Sequence, residues 1–227
     1  MFPLYFILLL GSLIVPAGYS LLQTDFIKNW KPFIISTSVI AGIFLVWDAF
    51  FTSLGVWGFN PDYCLGIFLL SMPIEEWLFF FIIPFCSLFI HFARMSISKQ
   101  RKSNIKATRI FFAILLSFIL VVLLYNLDKS YTAVNLSLLL LVMALGIWLT
   151  PALLQQFSIS FLIILIPFLL VNGILTGLLT TTPVVWYDDS ENLGIRLFTI
   201  PVEDVGYAFT MLFGNLLLFD YLLKSRE

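Results

Sequence analysis

Seven apolar stretches, each near the roughly 20 residues that span a bilayer's hydrocarbon core as a helix, take up most of the chain. They run over about 3–22, 32–54, 63–93, 108–126, 133–154, 158–180 and 193–223. With 61% hydrophobic and 11% charged residues among 227, a soluble globule is excluded and an all-α integral membrane protein of seven transmembrane helices is expected. Pro61, Pro73, Pro84, Pro151, Pro167 and Pro201 fall at or within these stretches, which membrane helices tolerate where neighbours satisfy the freed carbonyls. The first stretch has no basic residue ahead of its apolar core and no small-x-small cleavage site, so it reads as a helix and not as a removable signal.

Six of the twelve Lys and Arg (Arg94, Lys99, Arg101, Lys102, Lys106 and Arg109) share one stretch that holds no acidic residue. By the positive-inside rule this is a cytoplasmic loop and not a nucleic-acid patch. The N-terminus is then outside. Lys28, Lys31, Lys224 and Arg226 fall inside, and Asp188, Asp189 and Glu191 fall outside. Cys64 and Cys86 stand alone, without the spacing of a disulfide framework or a zinc site.

Set against itself, the chain repeats. "LGIFLLSMPIEEWLFFF" (65–81) aligns without gaps to "LGIRLFTIPVEDVGYAF" (193–209) at an offset of 128, pairing Pro73 with Pro201, Glu75 with Glu203 and Glu76 with Asp204. At an offset of 124, "WDAFFT" (47–52) meets "VNGILT" (171–176), pairing Asp48 with Asn172 and Thr52 with Thr176. Two motifs in the same order imply a 3+1+3 plan: a three-helix repeat in 1–93, a basic loop and linker helix in 94–130, and a second repeat in 131–227. One extra helix between the repeats gives both the same orientation. A pseudo-two-fold axis along the membrane normal, with a shared site between the halves, follows.

Helices starting near Tyr63 and Gly194 would carry Glu75 roughly 18 Å and Glu203 roughly 14 Å into the membrane, and one starting near Pro32 would carry Asp48 about 24 Å. An acid at the bilayer centre costs about 2.5 to 3.5 kcal/mol, so a duplicated pair demands a reason. Desolvation and like-charge crowding favour one neutral carboxyl in each pair, a poised donor and acceptor of protons. Adjacent residues on a helix point about 100° apart, so one acid of each pair faces a substrate and the other supports it. The bland reading is polar glue between the repeats, although Ser, Thr or Asn would serve that end at lower cost. A proton-coupled transporter is a rival, but the surroundings are Phe, Trp, Tyr and Leu, with little polar lining for a hydrophilic solute. A retinal photoreceptor needs a buried Lys in the last helix, whereas Lys224 lies past its end. His91 and Arg94 read as a snorkelling or lipid-contacting end of the third helix.

The doubled proline-glutamate motif, "PIEEWLFF" and "PVEDVGYAF", with "WDAFFT" and "VNGILT" before it, resembles the membrane lycopene cyclases over essentially the whole chain, in their fused single-chain form. The resemblance implies an intramolecular lyase or isomerase that closes the acyclic ends of lycopene to β-ionone rings, by way of γ-carotene to β-carotene. A related C50 carotenoid is the alternative substrate. It implies no redox cofactor and no metal, and no strand is expected that could carry a dinucleotide fingerprint. The chemistry fits the residues, since one group must give a proton and another take one. Glu75, Glu76, Glu203 and Asp204 are the candidate catalytic set, with Asp48, Thr52, Asn172 and Thr176 as substrate-binding or supporting residues. One active site, visited by each substrate end in turn, is expected. The partners are apolar carotenoids and membrane lipids, with homo-oligomers allowed and no nucleic acid.

Overall fold

A computed structural model describes residues 3–22, 29–97 and 104–225. Its helices are α1 (Leu4–Leu22), α2 (Trp30–Leu54), α3 (Ile74–Ile97), α4 (Ile105–Leu124), α5 (Ser130–Leu149), α6 (Pro151–Leu175) and α7 (Glu203–Lys224). The last six are long and apolar enough to cross a membrane, and α1 is a shorter apolar helix. The chain is a multi-pass membrane protein. Ile14, Val46, Ile114 and Ile166 turn exposed side chains outward, where lipid takes the place of water. Of the basic residues that suggested an orientation, Lys28, Lys99, Arg101, Lys102 and Arg226 lie outside the described residues.

The packing pattern is paired. α1 lies along α3 and α5 lies along α7, while α2 packs on α7 and α6 packs on α3. α3 and α7 meet at the centre, and α4 leans on α5 and α6. Without a hydrophobic drive between helices in lipid, close packing has to hold the bundle, and small residues permit it. At Gly146 of α5 an added Cβ would lie 2.5 Å from the Phe213 ring of α7, which itself stacks on Phe157 of α6 at 5.4 Å.

Neither of the stretches that carry the paired carboxylates is one continuous helix. Before α3, β2 (Phe68–Leu69) pairs antiparallel with β3 (Met72–Pro73), and before α7, β5 (Arg196–Leu197) pairs with β6 (Ile200–Pro201). Proline has no N–H and disfavours helical geometry in the residue before it, so Pro73 and Pro201 mark the end of the extended segment. The turns hold Leu70, Ser71 and Phe198 at φ of 52°, 64° and 59°, a conformation that excludes a helix there. Apolar composition cannot separate such a hairpin from a helix, because Ile67, Leu70, Ile195 and Phe198 are as apolar as a membrane span and are exposed. The helices therefore begin at Ile74 and Glu203, and depths reckoned from Tyr63 and Gly194 do not apply.

Two further expectations are corrected. The break between the fifth and sixth helices falls at Thr150 and Pro151, not at 155–157, because Pro151 suits a first helical position and Gln155 and Gln156 are carried within α6. Strands, which were not expected, are present as short ribbons. The third, β1 (Trp57–Phe59) against β4 (Val185–Tyr187), sets Gly58 opposite Trp186 and ties the loop after α2 to the loop after α6. Three residues are too few to show a period of two in sequence.

Gly146→Leu drives a side chain into Phe213 and is expected to destabilise the bundle by about 1–3 kcal/mol. Gly11→Ala, where an added Cβ meets nothing within 4 Å, is expected to change little. Thermal unfolding of the two variants in detergent compares them.

Candidate active site

The direction of each helix brings the polar residues to one end of the bundle. Tyr5 and Tyr131 are the second residues of α1 and α5, and Glu75, Glu76, Glu203 and Asp204 lie in the first turns of α3 and α7. Asp48 and Asn172 stand near the last turns of α2 and α6, which run the opposite way. The β1–β4 ribbon covers this end and sends two side chains down. Trp57 Nε1 donates to Asp48 Oδ1 at 2.5 Å, and the Tyr187 hydroxyl donates to Asp204 Oδ2 at 2.9 Å.

Within each acidic pair the two carboxyls face different ways, as neighbours about 100° apart on a helix must. Glu75 Oε1 accepts the Leu65 N–H at 2.6 Å, and Glu203 Oε1 accepts the Leu193 N–H at 2.7 Å, so each carboxyl closes the base of its own hairpin. The Thr132 hydroxyl adds a second bond to Glu203 Oε1 at 2.7 Å, and Oε2 of both glutamates is buried without a partner among the described residues. Glu76 and Asp204 turn inward. Glu76 Oε2 accepts the Tyr5 hydroxyl. Asp204 accepts Tyr131 at 2.5 Å on Oδ1, and Asn172 Nδ2 at 2.8 Å together with Tyr187 on Oδ2. Buried among apolar groups, and with Asp204 beside it, the Tyr187 phenol is pushed well above its ordinary pKa and stays a donor.

Glu76, Asp204, Asp48 and Asn172 line one cavity of about 340 Å³, whose remaining wall is largely Phe, Ile, Leu, Val and Tyr; Glu75 and Glu203 do not line it. That volume is at the low end of small-molecule sites, and an apolar wall with a few convergent polar groups is their usual character. Val15 of α1 and Pro167 of α6 belong both to this wall and to the exposed outer surface, so the cavity opens sideways between α1 and α6. Tyr131 stacks on Tyr187 at 5.9 Å and meets the Trp57 ring at 5.1 Å, which puts aromatic faces beside the carboxyls.

The remaining sequence candidates are placed differently. Thr52 reaches Asp48 Oδ1 only at 3.4 Å, beyond an ordinary O–H···O bond. The Thr176 hydroxyl donates to the Asn172 carbonyl at 2.9 Å and meets Thr199 Oγ1 at 2.8 Å, a tie from the end of α6 to the second hairpin. At the other end of α3, His91 and Arg94 do not simply face lipid. His91 is 2% exposed with Nδ1 2.8 Å from Ser160 Oγ, to which Arg94 Nε donates at 2.7 Å, because α3 and α6 cross there. Sequence reasoning missed Tyr5, Tyr131, Tyr187 and Trp57. Tyr5 and Tyr131 stand 126 residues apart, each second in its helix, and extending the internal alignment to those helices would have found them.

A family model described as lycopene cyclase matches residues 3–94 and 128–222, which is most of the chain. No curated protein and no solved structure matches.

Glu203→Ala strands the Leu193 N–H and the Thr132 hydroxyl and is expected to cost about 1–3 kcal/mol for each donor left unpaired. Glu203→Gln keeps an accepting oxygen and is expected to cost less. The ordering is read from thermal unfolding.

Proposed function

The chain belongs to the lycopene cyclase family, and from that premise we propose that it is a cofactor-independent lycopene β-cyclase with one active site. The observation that carries this reading is that Glu76 and Asp204, one from each motif, face the same lipid-opening cavity. Membership of a cyclase family brings enzymatic activity with it; the ring type, the order of proton transfers and the residue roles below are our proposal.

The reaction starts when a neutral carboxyl protonates C2 of the terminal double bond and leaves a tertiary cation at C1. The C5=C6 bond attacks that cation and closes the ring, and loss of the C6 proton gives the β end. The proton gained at C2 balances the one lost at C6, so the product is an isomer. Glu76 is the donor. Tyr5 occupies one of its oxygens and leaves the other free to carry the proton on the cavity wall. Asp204 is the acceptor, since its three donors hold it as a carboxylate-shaped acceptor on the same wall. Asp48 and Asn172 support these two. Return of the proton from Asp204 to Glu76 resets the site. Aromatic faces such as Tyr131 and Tyr187 stabilise the passing cation by about 0.5–2 kcal/mol each and exclude water that would quench it. Glu75 and Glu203 hold the hairpins in place and do not touch substrate.

The 3+1+3 plan belongs to the same proposal. Bonds 128 residues apart support it: Leu65 to Glu75 beside Leu193 to Glu203, and Ile74 N–H to Ile67 O beside Val202 N–H to Ile195 O, both at 2.9 Å. The two segments matched by the family model leave out 95–127, where α4 lies. The basic residues would set the carboxylate end of the bundle toward the outer leaflet. A cavity of about 340 Å³ takes an end group and not a whole carotenoid, so the rest of the substrate lies in lipid, and C50 carotenoids with the same end are admitted on the same terms.

Expression in cells that accumulate lycopene, followed by pigment chromatography, tests the reading. The wild type is expected to give β-carotene, while Glu76→Gln and Asp204→Asn lower turnover by about 10²–10⁴-fold, the usual worth of a proton-transfer group. Glu75→Gln and Glu203→Gln are expected to keep most of it. Unchanged lycopene with well-expressed wild type would sink the proposal, and equal losses in all four variants would remove the division of labour.

A further inference from the structure

The cavity begins where the two matched halves meet, with Glu76 and Asp204, and Phe79 and Tyr207, all in its wall, but it extends from there toward α1 and α6 only, and the reason can be traced to single residues. Its open side is walled by Val15 of α1, Phe79 and Ile83 of α3, and Phe168 and Val171 of α6. Their counterparts by the internal offsets are Leu141 of α5, Tyr207 and Met211 of α7, and Phe44 and Trp47 of α2. Most of these exchanges are between apolar side chains of similar bulk. Val171 against Trp47 is the exception, since an indole stands where the open side has a branched three-carbon side chain.

Trp47 fills that place. Its ring lies 4.9 Å from Tyr207 and 5.6 Å from Phe44, with Tyr131 at 6.3 Å, and the residue is 9% exposed. Phe44 closes the stack against Tyr207 at 5.0 Å. The Trp47 indole N–H finds no acceptor among the described residues, so bulk and not hydrogen bonding is what the residue brings. Trp47 itself does not line the cavity, whereas Tyr207 does, so the indole backs Tyr207 from the side where a second chamber would lie.

We propose that Trp47 is the specificity-determining residue that makes the site one-sided, filling a chamber equivalent to the one that Val171 leaves open. The proposal rests on the cyclase reading. Its consequence is that each chain holds one acyclic end at a time, so a substrate with two such ends leaves and turns between its two ring closures. The chamber behind Trp47, once emptied, accepts the same class of ligand, an apolar polyene end, from the lipid between α2 and α5.

The test counts lycopene that co-purifies with full-length protein carrying Glu76→Gln, which stops turnover. Glu76→Gln alone is expected to retain about one lycopene per chain, and Glu76→Gln with Trp47→Val close to twice that, because the removed bulk opens the second chamber. Glu76→Gln with Val171→Trp is expected to retain several-fold less, because the indole then fills the open chamber. Monodisperse elution from a sizing column establishes folding, and Glu76→Gln with Trp47→Leu, a smaller loss of bulk with the same expected rise, takes the place of Trp47→Val where that variant does not fold. Unchanged occupancy in the folded variants, alongside ring formation by the wild type, overturns the role of Trp47 alone. No ring formation by the wild type and no retained lycopene overturn the cyclase reading, and the plug with it.

Discussion

Five carboxyl groups buried at one end of an apolar bundle are the constraint on which the rest of this structure depends. Asp48, Glu75, Glu76, Glu203 and Asp204 are each less than 9% exposed. A buried charge or acid without partners is too costly to keep, so the surrounding chain has to supply donors. It does so from the backbone of the hairpins for Glu75 and Glu203, with the Thr132 hydroxyl added at Glu203, from phenols on α1, α5 and β4 for Glu76 and Asp204, with the Asn172 amide added at Asp204, and from the β1 indole for Asp48. The hairpins and the ribbon are thus explained by the acids they satisfy. Polar backbone outside a helix is tolerated in a membrane protein where protein covers it or a cavity adjoins it.

The same requirement divides each acidic pair. Glu75 and Glu203 spend an oxygen on local backbone and keep the hairpins folded over the helix starts, while Glu76 and Asp204 are turned to the cavity by the first helical turn. In the proposed cyclase this split separates architecture from chemistry. The proposed symmetry is then broken twice, by Glu76 against Asp204 at the proton-transfer groups and by Val171 against Trp47 in the chamber behind them. A duplicated fold with one working chamber is what this reading proposes.

Much of this was legible in the chain. Length and hydropathy located the membrane helices, since roughly 20 apolar residues have few other uses. The internal alignment singled out Glu75, Glu76, Glu203 and Asp204 because charge recurring at one offset inside apolar sequence is rare by composition. Other features were illegible for physical reasons. A lipid-facing hairpin and a membrane helix share one composition, so 63–73 and 193–202 read as helix until Pro73, Pro201 and the left-handed turns at Leu70 and Phe198 were seen in place. The break at Pro151 was hidden behind Gln155 and Gln156, whose polarity imitates a loop.

By itself the sequence determined that this chain is a multi-pass helical membrane protein and that its acids come in two matched pairs set among apolar residues, because composition and period act locally along the chain. Which acid of each pair faces the cavity was decided only by the tertiary structure. That choice turns on where the first helical turn begins, on phenols brought more than seventy residues along the chain to Glu76 and Asp204, and on whether a valine or an indole stands behind the chamber. These depend on helices packing across the bundle, and no local pattern encodes them.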